Sequence, residues 1–161
     1  MQSLVSSAYG VVLDLGAGGG NQIQRLDRAK LKHVYGLEPN AGFAAALADK
    51  VKAVGLAGVY TPIICGVEDA ELELARAGVA PGTVDCILSI QILCSVRDPV
   101  AVVKQLHHLL RPGGELIFWE HQRNEWDLLT QLVQCKSGPG RLPRLGFHWR
   151  RGQKLSTDVS F

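Results

Sequence analysis

The chain of 161 residues lacks the features that mark several large classes of protein. It has no apolar run of about 18 residues, so we expect no membrane-spanning helix. Residues 1–10 hold no basic side chain and no long apolar run, so we expect no signal peptide. The four cysteines form no C-x-x-C pair, and no histidine lies at metal-ligand spacing from them. We therefore expect no metal site, and we expect a cytoplasmic protein with reduced thiols.

Two common nucleotide-binding sequences are also missing. The P-loop sequence G-x-x-x-x-G-K-S/T occurs nowhere, and the dinucleotide sequence G-x-G-x-x-G fails because Asn21 stands at the third glycine position. What is present is an apolar run at residues 11–15, followed by glycines and then by a helical pattern. Glycine lets a ligand approach the backbone, and the first turn of a helix offers free N–H donors. This strand–glycine loop–helix unit predicts a nucleotide-type ligand.

The charge is small in total but unevenly distributed. Residues 1–135 carry 11 Lys and Arg against 14 Asp and Glu, whereas residues 136–161 carry 6 against 1. The length suits one domain, which we place at residues 1–135, followed by a basic tail at residues 136–161 that is rich in Gly and Pro. A basic tail alone is weak evidence for binding to nucleic acid, so we expect no nucleic-acid partner.

Strand-like and helix-like segments alternate along the chain. The predicted strands are residues 11–15, 33–38, 59–65, 84–93 and 116–119, and the predicted helices are residues 21–30, 41–51, 69–77, one that opens at Asp98-Pro99, and 125–134. Pro62 suits a strand at the edge of a sheet, and residues 155–161 are a weak candidate for a further strand. The alternation predicts a parallel sheet covered by helices on both faces. Ligands of such sheets bind at the carboxyl ends of the strands, which selects residues 16–21, 38–40, 66–69, 89–95 and 120–122.

Several motifs occur in the order seen in a known family. Asp14 with the spaced Gly16, Gly18 and Gly20, then Glu38, then Glu68-Asp69, then Leu-Arg-Pro-Gly-Gly-Glu-Leu-Ile-Phe at residues 110–118, together resemble the class I S-adenosylmethionine-dependent methyltransferases. Leu-Cys-Ser-Val at residues 93–96, followed later by Glu120-His121, resembles the methyltransferase-like 7 group and the ubiquinone-biosynthesis-type methyltransferases. The resemblance covers residues 9–135, and the ordered set is more specific than any one of its motifs.

The resemblance implies a fold, a cofactor and a reaction. It implies an α/β fold, a Rossmann-like three-layer α/β/α sandwich with a mostly parallel sheet of order 3-2-1-4-5-7-6, of which we predict 3-2-1-4-5 and leave strands six and seven open. The implied cofactor is S-adenosylmethionine, and the implied reaction is in-line transfer of its methyl group to an O-, S- or N-acceptor on a small molecule. The chain departs from the family in having only about ten residues before the first strand and in its Gly/Pro/Arg-rich end.

These departures keep two other functions open. One is a methyltransferase-like cyclase or isomerase that transfers no methyl group, since a fold does not fix a function. The other is a non-catalytic binding module that needs a partner, because a short N-terminal side leaves apolar surface uncovered. A homodimer that covers this side is one form that such a partner would take.

The predicted site combines the motifs with the strand ends. The residues predicted to bind the cofactor are Asp14, Gly16, Ala17, Gly18, Gly20, Asn21, Glu38, Pro39, Asn40, Val67, Glu68, Asp69, Ser89, Ile90 and Gln91. Glu38 would accept both hydroxyls of a ribose, or would be a solvated acid at a strand end. Asp69 would read an adenine edge, would cap the next helix, or would do both. His121 is the candidate general base, and the alternative is a surface or packing histidine.

Overall fold

The fold is an alternation of strands and helices, seen here in a computed structural model that describes residues 2–120 and 154–156. The helices are α1 (Gln2–Val5), α2 (Ala44–Ala53), α3 (Ala70–Arg76) and α4 (Pro99–Leu109). The strands are β1 (Gly10–Leu15), β2 (Leu31–Leu37), β3 (Tyr60–Ile63), β4 (Val84–Ile90), β5 (Leu110–Trp119) and β6 (Lys154–Ser156). None of these helices has the length and apolar character that crossing a membrane needs.

The strands form one sheet of order β3-β2-β1-β4-β5-β6. The first five strands pair in parallel, and their order confirms the predicted order 3-2-1-4-5. Pro62 lies in the edge strand β3, where its missing N–H leaves no gap in the ladder. Strand β6 pairs antiparallel with β5, so three residues of the predicted tail join the sheet. The predicted helix at residues 125–134 lies outside the described residues, as do residues 157–161 of the weak strand candidate.

Two apolar clusters cover the two faces of this sheet. In β1, Leu13 and Leu15 face the cluster that contains residues of α3 and α4, whereas Val12 faces the cluster that contains residues of α1 and α2. Because both faces of the sheet are covered, the sequences of the strands are nearly continuous apolar runs. Helix α4 begins as predicted, since the Asp98 carboxylate accepts hydrogen bonds from the backbone N–H groups of Val100 and Ala101, both at 3.0 Å. The three-layer α/β/α arrangement is therefore confirmed.

Three predictions differ most clearly from the structure, whereas the ends of other elements shift by three residues or fewer. The helix predicted at residues 21–30 is wrong: two short 3-10 turns, Ile23–Arg25 and Arg28–Lys30, stand there, because the Asp27 carboxylate accepts from Ala29 N at 3.1 Å and starts a new turn. Strand β4 ends at Ile90 and not at residue 93. Strand β5 begins at Leu110, six residues before the predicted start, because the residues between the pairs Val84↔Leu110 and Cys86↔Glu115 form an irregularity within the strand.

Candidate functional site

A cavity of about 240 Å³ opens at the carboxyl ends of the central strands. Its walls come from Gly16 after β1, residues 37–39 at the end of β2, residues 65–68 after β3, and residues 92 and 95–96 after β4. Four of the five loops that the strand-end rule selected supply these walls; of the fifth, residues 120–122, Glu120 does not line the cavity, and residues 121 and 122 lie outside the described residues. The cavity therefore brings together the glycine loop, Glu38 and the turn after β3.

Glu38 joins three of these loops. Its Oε2 accepts a hydrogen bond from Gly18 N at 2.9 Å, and its Oε1 accepts one from Asn40 N at 2.9 Å. Its own N–H donates to the carbonyl of Ile63 at 3.0 Å, which continues the pairing with β3. A carboxylate has about four lone-pair sites, so each oxygen of Glu38 keeps capacity for one further donor. Glu38 is thus a fixed, half-buried carboxylate that lines the cavity and can accept two more hydrogen bonds.

The glycine loop has a backbone that only glycine adopts easily. Gly16, Gly18 and Gly20 have φ values of 62°, 51° and 81°. At Gly16 a side chain is excluded for a second reason, because a Cβ there would lie 2.0 Å from Cδ1 of Ile92. The N–H of Ala17 donates to the carbonyl of Leu37 at 3.0 Å, which ties the loop to the end of β2. Of this predicted group, Gly16 lines the cavity, whereas Ala17, Gly18, Gly20 and Asn21 lie outside its lining.

The turn after β3 supplies the next wall. Val67 is buried, and Glu68 lines the cavity while its carboxylate accepts from Arg97 N at 3.4 Å. The Asp69 side chain makes no capping hydrogen bond to α3, so the capping alternative is wrong, and its contact with a ligand stays a prediction. Burial, and then the charges of Glu73 and Asp69, raise the pKa of the Cys65 thiol to about 11. Cys65 therefore remains a neutral wall residue.

Asp14, predicted as a cofactor ligand, is fully buried away from the cavity lining. The hydroxyl of Tyr60 donates to its Oδ2 at 2.9 Å, and the side chain is 3% exposed. Burial raises the pKa of Asp14 to about 6, against the opposing effect of the Tyr60 hydrogen bond. Asp14 therefore stabilises the core through its hydrogen bond with Tyr60. Its predicted contact with a cofactor stays a prediction.

This raised pKa predicts how stability depends on pH. The folded chain holds a proton on Asp14 that the unfolded chain has lost, so this group's stabilising effect is complete below about pH 4 and is lost as the pH rises through about 6. The Asp14→Asn variant keeps an acceptor for Tyr60 but cannot ionise. We expect urea unfolding to give nearly equal stabilities for the two proteins at pH 4, and a gain for the variant of about 3 kcal/mol at pH 7.5. Parallel pH curves for the two proteins would contradict this.

The remaining predicted residues lie around the end of β4. Ser89 is fully buried and Ile90 is buried, whereas Gln91 is exposed and has a left-handed φ of 61°. Pro39 lines the cavity, and Asn40 forms a turn in which its Oδ1 accepts from Gly42 N at 2.9 Å. His121, the candidate base, lies outside the described residues.

Three cavity residues lie outside the predicted loop ranges: Leu37, Cys65 and Val96. Gly66, Ile92 and Ser95 lie inside those ranges but were not among the residues predicted to bind the cofactor. All six stand at or after the carboxyl end of a strand, which is the signal that points to them. The sequence gives no sign that an isoleucine side chain after β4 reaches back to Gly16.

Comparison with known proteins defines the family. Residues 13–118 match the family model described as "Methyltransferase domain", and the chain belongs to this family. It is 35% identical over 78 residues to a protein named Thiol S-methyltransferase TMT1B from Homo sapiens, a match that covers 41% of this chain and 32% of that protein. It is 29% identical over 154 residues to a Ubiquinone biosynthesis O-methyltransferase from Paraburkholderia xenovorans, a match that covers 93% of this chain and 61% of that protein. The chain thus spans less than two thirds of either relative.

Solved structures show the same fold. The YcgJ protein from Bacillus subtilis matches with a TM-score of 0.63 at 17% identity, over 78% of this chain and 50% of that one. The [4+2]-cyclase SpnF matches with a TM-score of 0.62 at 20% identity, over 77% of this chain and 45% of that one. The predicted class of S-adenosylmethionine-dependent methyltransferases is confirmed, and S-adenosylmethionine is the cofactor of this family.

The residues present fit that cofactor. A ribose offers two neighbouring hydroxyl donors, and Glu38 has acceptor capacity for two donors at the cavity wall. An adenine ring needs flat apolar surfaces, which Leu37, Val67 and Val96 provide.

Proposed function

We propose that this chain binds S-adenosylmethionine in the cavity and transfers a methyl group to a thiol or hydroxyl group of a small molecule. The observation that carries the proposal is the carboxylate of Glu38, held by Gly18 N and Asn40 N where β2 ends at the cavity. A carboxylate fixed in this way meets the two ribose hydroxyls without having to reorganise, which favours binding.

The other cavity walls would hold the adenine ring and exclude water. The apolar side chains of Leu37, Val67 and Val96 would pack on the two faces of the adenine. The exposed carboxylate of Asp69, together with backbone groups at residues 66–68, would form hydrogen bonds with its edge. These contacts fix the adenosine and so set the position of the atom that reacts.

In the proposed methyl transfer, the main contribution of the protein is to align the two reacting groups. S-adenosylmethionine supplies a methyl group bonded to a positively charged sulfur, which leaves as a neutral thioether. The chain aligns the acceptor with that methyl group and excludes water. A base is needed only where the acceptor atom carries a proton that it does not lose at neutral pH, and we propose His121 for that role.

The relatives guide the choice of acceptor. One is named a thiol S-methyltransferase and another an O-methyltransferase, so thiols and phenols are the first acceptors to test. The cyclase SpnF shares only the fold with this chain, and a non-methylating enzyme remains the second candidate. The formation of S-adenosylhomocysteine separates the two, because only methyl transfer releases it.

A product assay tests the proposed transfer. We expect S-adenosylhomocysteine and a methylated product in equal amounts with at least one small thiol or phenol, measured by mass spectrometry. His121→Ala should lower the rate with a phenol about a hundredfold or more, since general-base catalysis contributes about that much. The matched control is His107→Ala, which replaces an exposed histidine of helix α4 and should leave the rate unchanged. Binding of the cofactor without product from any acceptor would refute methyl transfer.

A further inference from the structure

Glu120, which directly follows β5, binds the neighbouring strand and the loop after it. Its Oε1 accepts a hydrogen bond from Ser89 Oγ at 2.7 Å and another from Ile92 N at 3.0 Å. Ser89 is 0% exposed, so its hydroxyl depends on a protein partner. One oxygen of Glu120 therefore links β4 to the β4–α4 loop, residues 91–98.

The backbone between these two hydrogen bonds is strained. Gln91 has a φ of 61°, which is unfavourable for a residue with a side chain. Its N–H donates to the carbonyl of Trp119 at 2.8 Å, so the strained residue itself, which lies between the two contacts of Glu120, is also held by the end of β5. A strained conformation persists only where its surroundings fix it, and here the strand end at residues 119–120 supplies that fixation.

The strained turn places Ile92 against the glycine loop. Cδ1 of Ile92 occupies the space that a Cβ of Gly16 would need, and Ile92 lines the cavity. At the other end of the β4–α4 loop, Arg97 N donates to the Glu68 carboxylate at 3.4 Å. The loop thus follows the cavity edge from Glu120 to Glu68, and a displacement of Ile92 would change the cavity wall.

We propose that Glu120 is a positioning residue of the cofactor site: it holds Ile92 against the glycine loop and so sets the shape of the cavity. The proposal rests on the proposed function, since the cavity is taken to be the place where S-adenosylmethionine binds. Glu120 acts through the Ile92 backbone and the Ser89 hydroxyl, and not through contact with the ligand.

The chemistry of the two hydrogen bonds suggests the variants. An amide oxygen has two lone pairs and can accept both donors, so Glu120→Gln should keep the loop in place. Glu120→Ala removes both acceptors, and Ser89→Ala removes one donor with little change of shape. Glu115→Gln is the matched control, because Glu115 lies within β5, about 16 Å from Glu120 along the chain direction.

The first measurement needs no ligand. Hydrogen–deuterium exchange of the whole chain, followed by mass spectrometry, reports how firmly the peptide that covers residues 89–97 is held. We expect faster exchange there in Glu120→Ala and Ser89→Ala, and wild-type exchange in Glu120→Gln and Glu115→Gln. Unchanged exchange in both alanine variants would overturn the proposal.

The second measurement titrates S-adenosylmethionine by calorimetry. We expect Kd to rise at least about tenfold in Glu120→Ala, by a smaller factor in Ser89→Ala, and by less than about threefold in Glu120→Gln. Equal losses in Glu120→Gln and Glu120→Ala would overturn the positioning role, because they would show that the charge itself acts. Ser89→Ala keeps the test valid if Glu120→Ala does not fold.

The two measurements separate the failure of this proposal from the failure of the proposed function. A wild-type chain that does not bind S-adenosylmethionine would overturn both, even where the exchange data show that Glu120 holds the loop. A wild-type chain that binds, with unchanged Kd in both alanine variants, would overturn only the role of Glu120.

Discussion

Replacing Glu38 with alanine is expected to weaken S-adenosylmethionine binding about a hundredfold or more. The wild-type carboxylate is already fixed by Gly18 N and Asn40 N, and it would receive two ribose hydroxyls. Hydrogen bonds to a charged group contribute roughly 1.5–3 kcal/mol each, and a loss of about 3 kcal/mol corresponds to a factor of about a hundred in Kd. Isothermal titration calorimetry of the two proteins measures this difference.

A matched control separates the lost contact from a general loss of structure. Glu73→Ala removes an acid that pairs with Arg76 on the surface of α3, outside the cavity lining, and should change Kd by less than about twofold. Circular dichroism and thermal unfolding should show that the Glu38 variant is folded. A folded Glu38→Ala chain with wild-type affinity would remove Glu38 from the ribose site.

Replacing Gly36 with alanine is expected to destabilise the fold by about 3–5 kcal/mol. A Cβ at Gly36, the second-last residue of β2, would lie 2.0 Å from Oη and 2.5 Å from Cζ of Tyr60. Tyr60 is buried and passes over this glycine to reach Asp14, so it cannot move away without losing that hydrogen bond. Overpacking costs about 1–3 kcal/mol, and a buried carboxyl group that loses its donor costs about as much again.

A second substitution tests the cause of this loss. In a Tyr60→Leu background the phenol ring is absent, so Gly36→Ala should cost much less than it does in the wild-type chain. Gly55→Ala serves as the control for glycine in general: no atom lies within 4 Å of its Cβ position, and its φ of 72° alone should cost about 1–2 kcal/mol. Urea unfolding measures all of these variants. An equal cost of Gly36→Ala in the two backgrounds would contradict the proposed contact.

Much of the fold follows from local patterns in the sequence. The alternation of strands and helices predicts the parallel sheet, and Asp98-Pro99 marks the start of α4 because both residues favour that position. The order of the first five strands came from the resemblance to the methyltransferase family and not from the alternation. The exceptions have local causes too. At residues 21–30 the Asp27 side chain competes with the helix for backbone N–H groups, and an irregularity near the start of β5 extends this strand six residues before its predicted start.

The contacts that shape the site were less accessible to prediction. Glu38 and the glycine loop could be predicted, because a strand end and positive φ values have clear local signals. The hydrogen bond between Asp14 and Tyr60 joins residues 46 positions apart, and it depends on Gly36 having no side chain. The hydrogen bonds of Glu120 likewise join the residue after β5 to Ser89 in β4 and to Ile92 in the loop that follows β4. Such contacts depend on three-dimensional packing, which a single sequence does not encode as a local pattern.

A crystal structure of the chain with S-adenosylhomocysteine tests the central claim most directly. We expect density for the adenosine in the cavity, with the two ribose hydroxyls within about 3 Å of the Glu38 carboxylate oxygens and the base between Leu37 and Val67. Adenosine bound elsewhere on the chain, or an empty cavity in crystals grown at millimolar ligand, would contradict it.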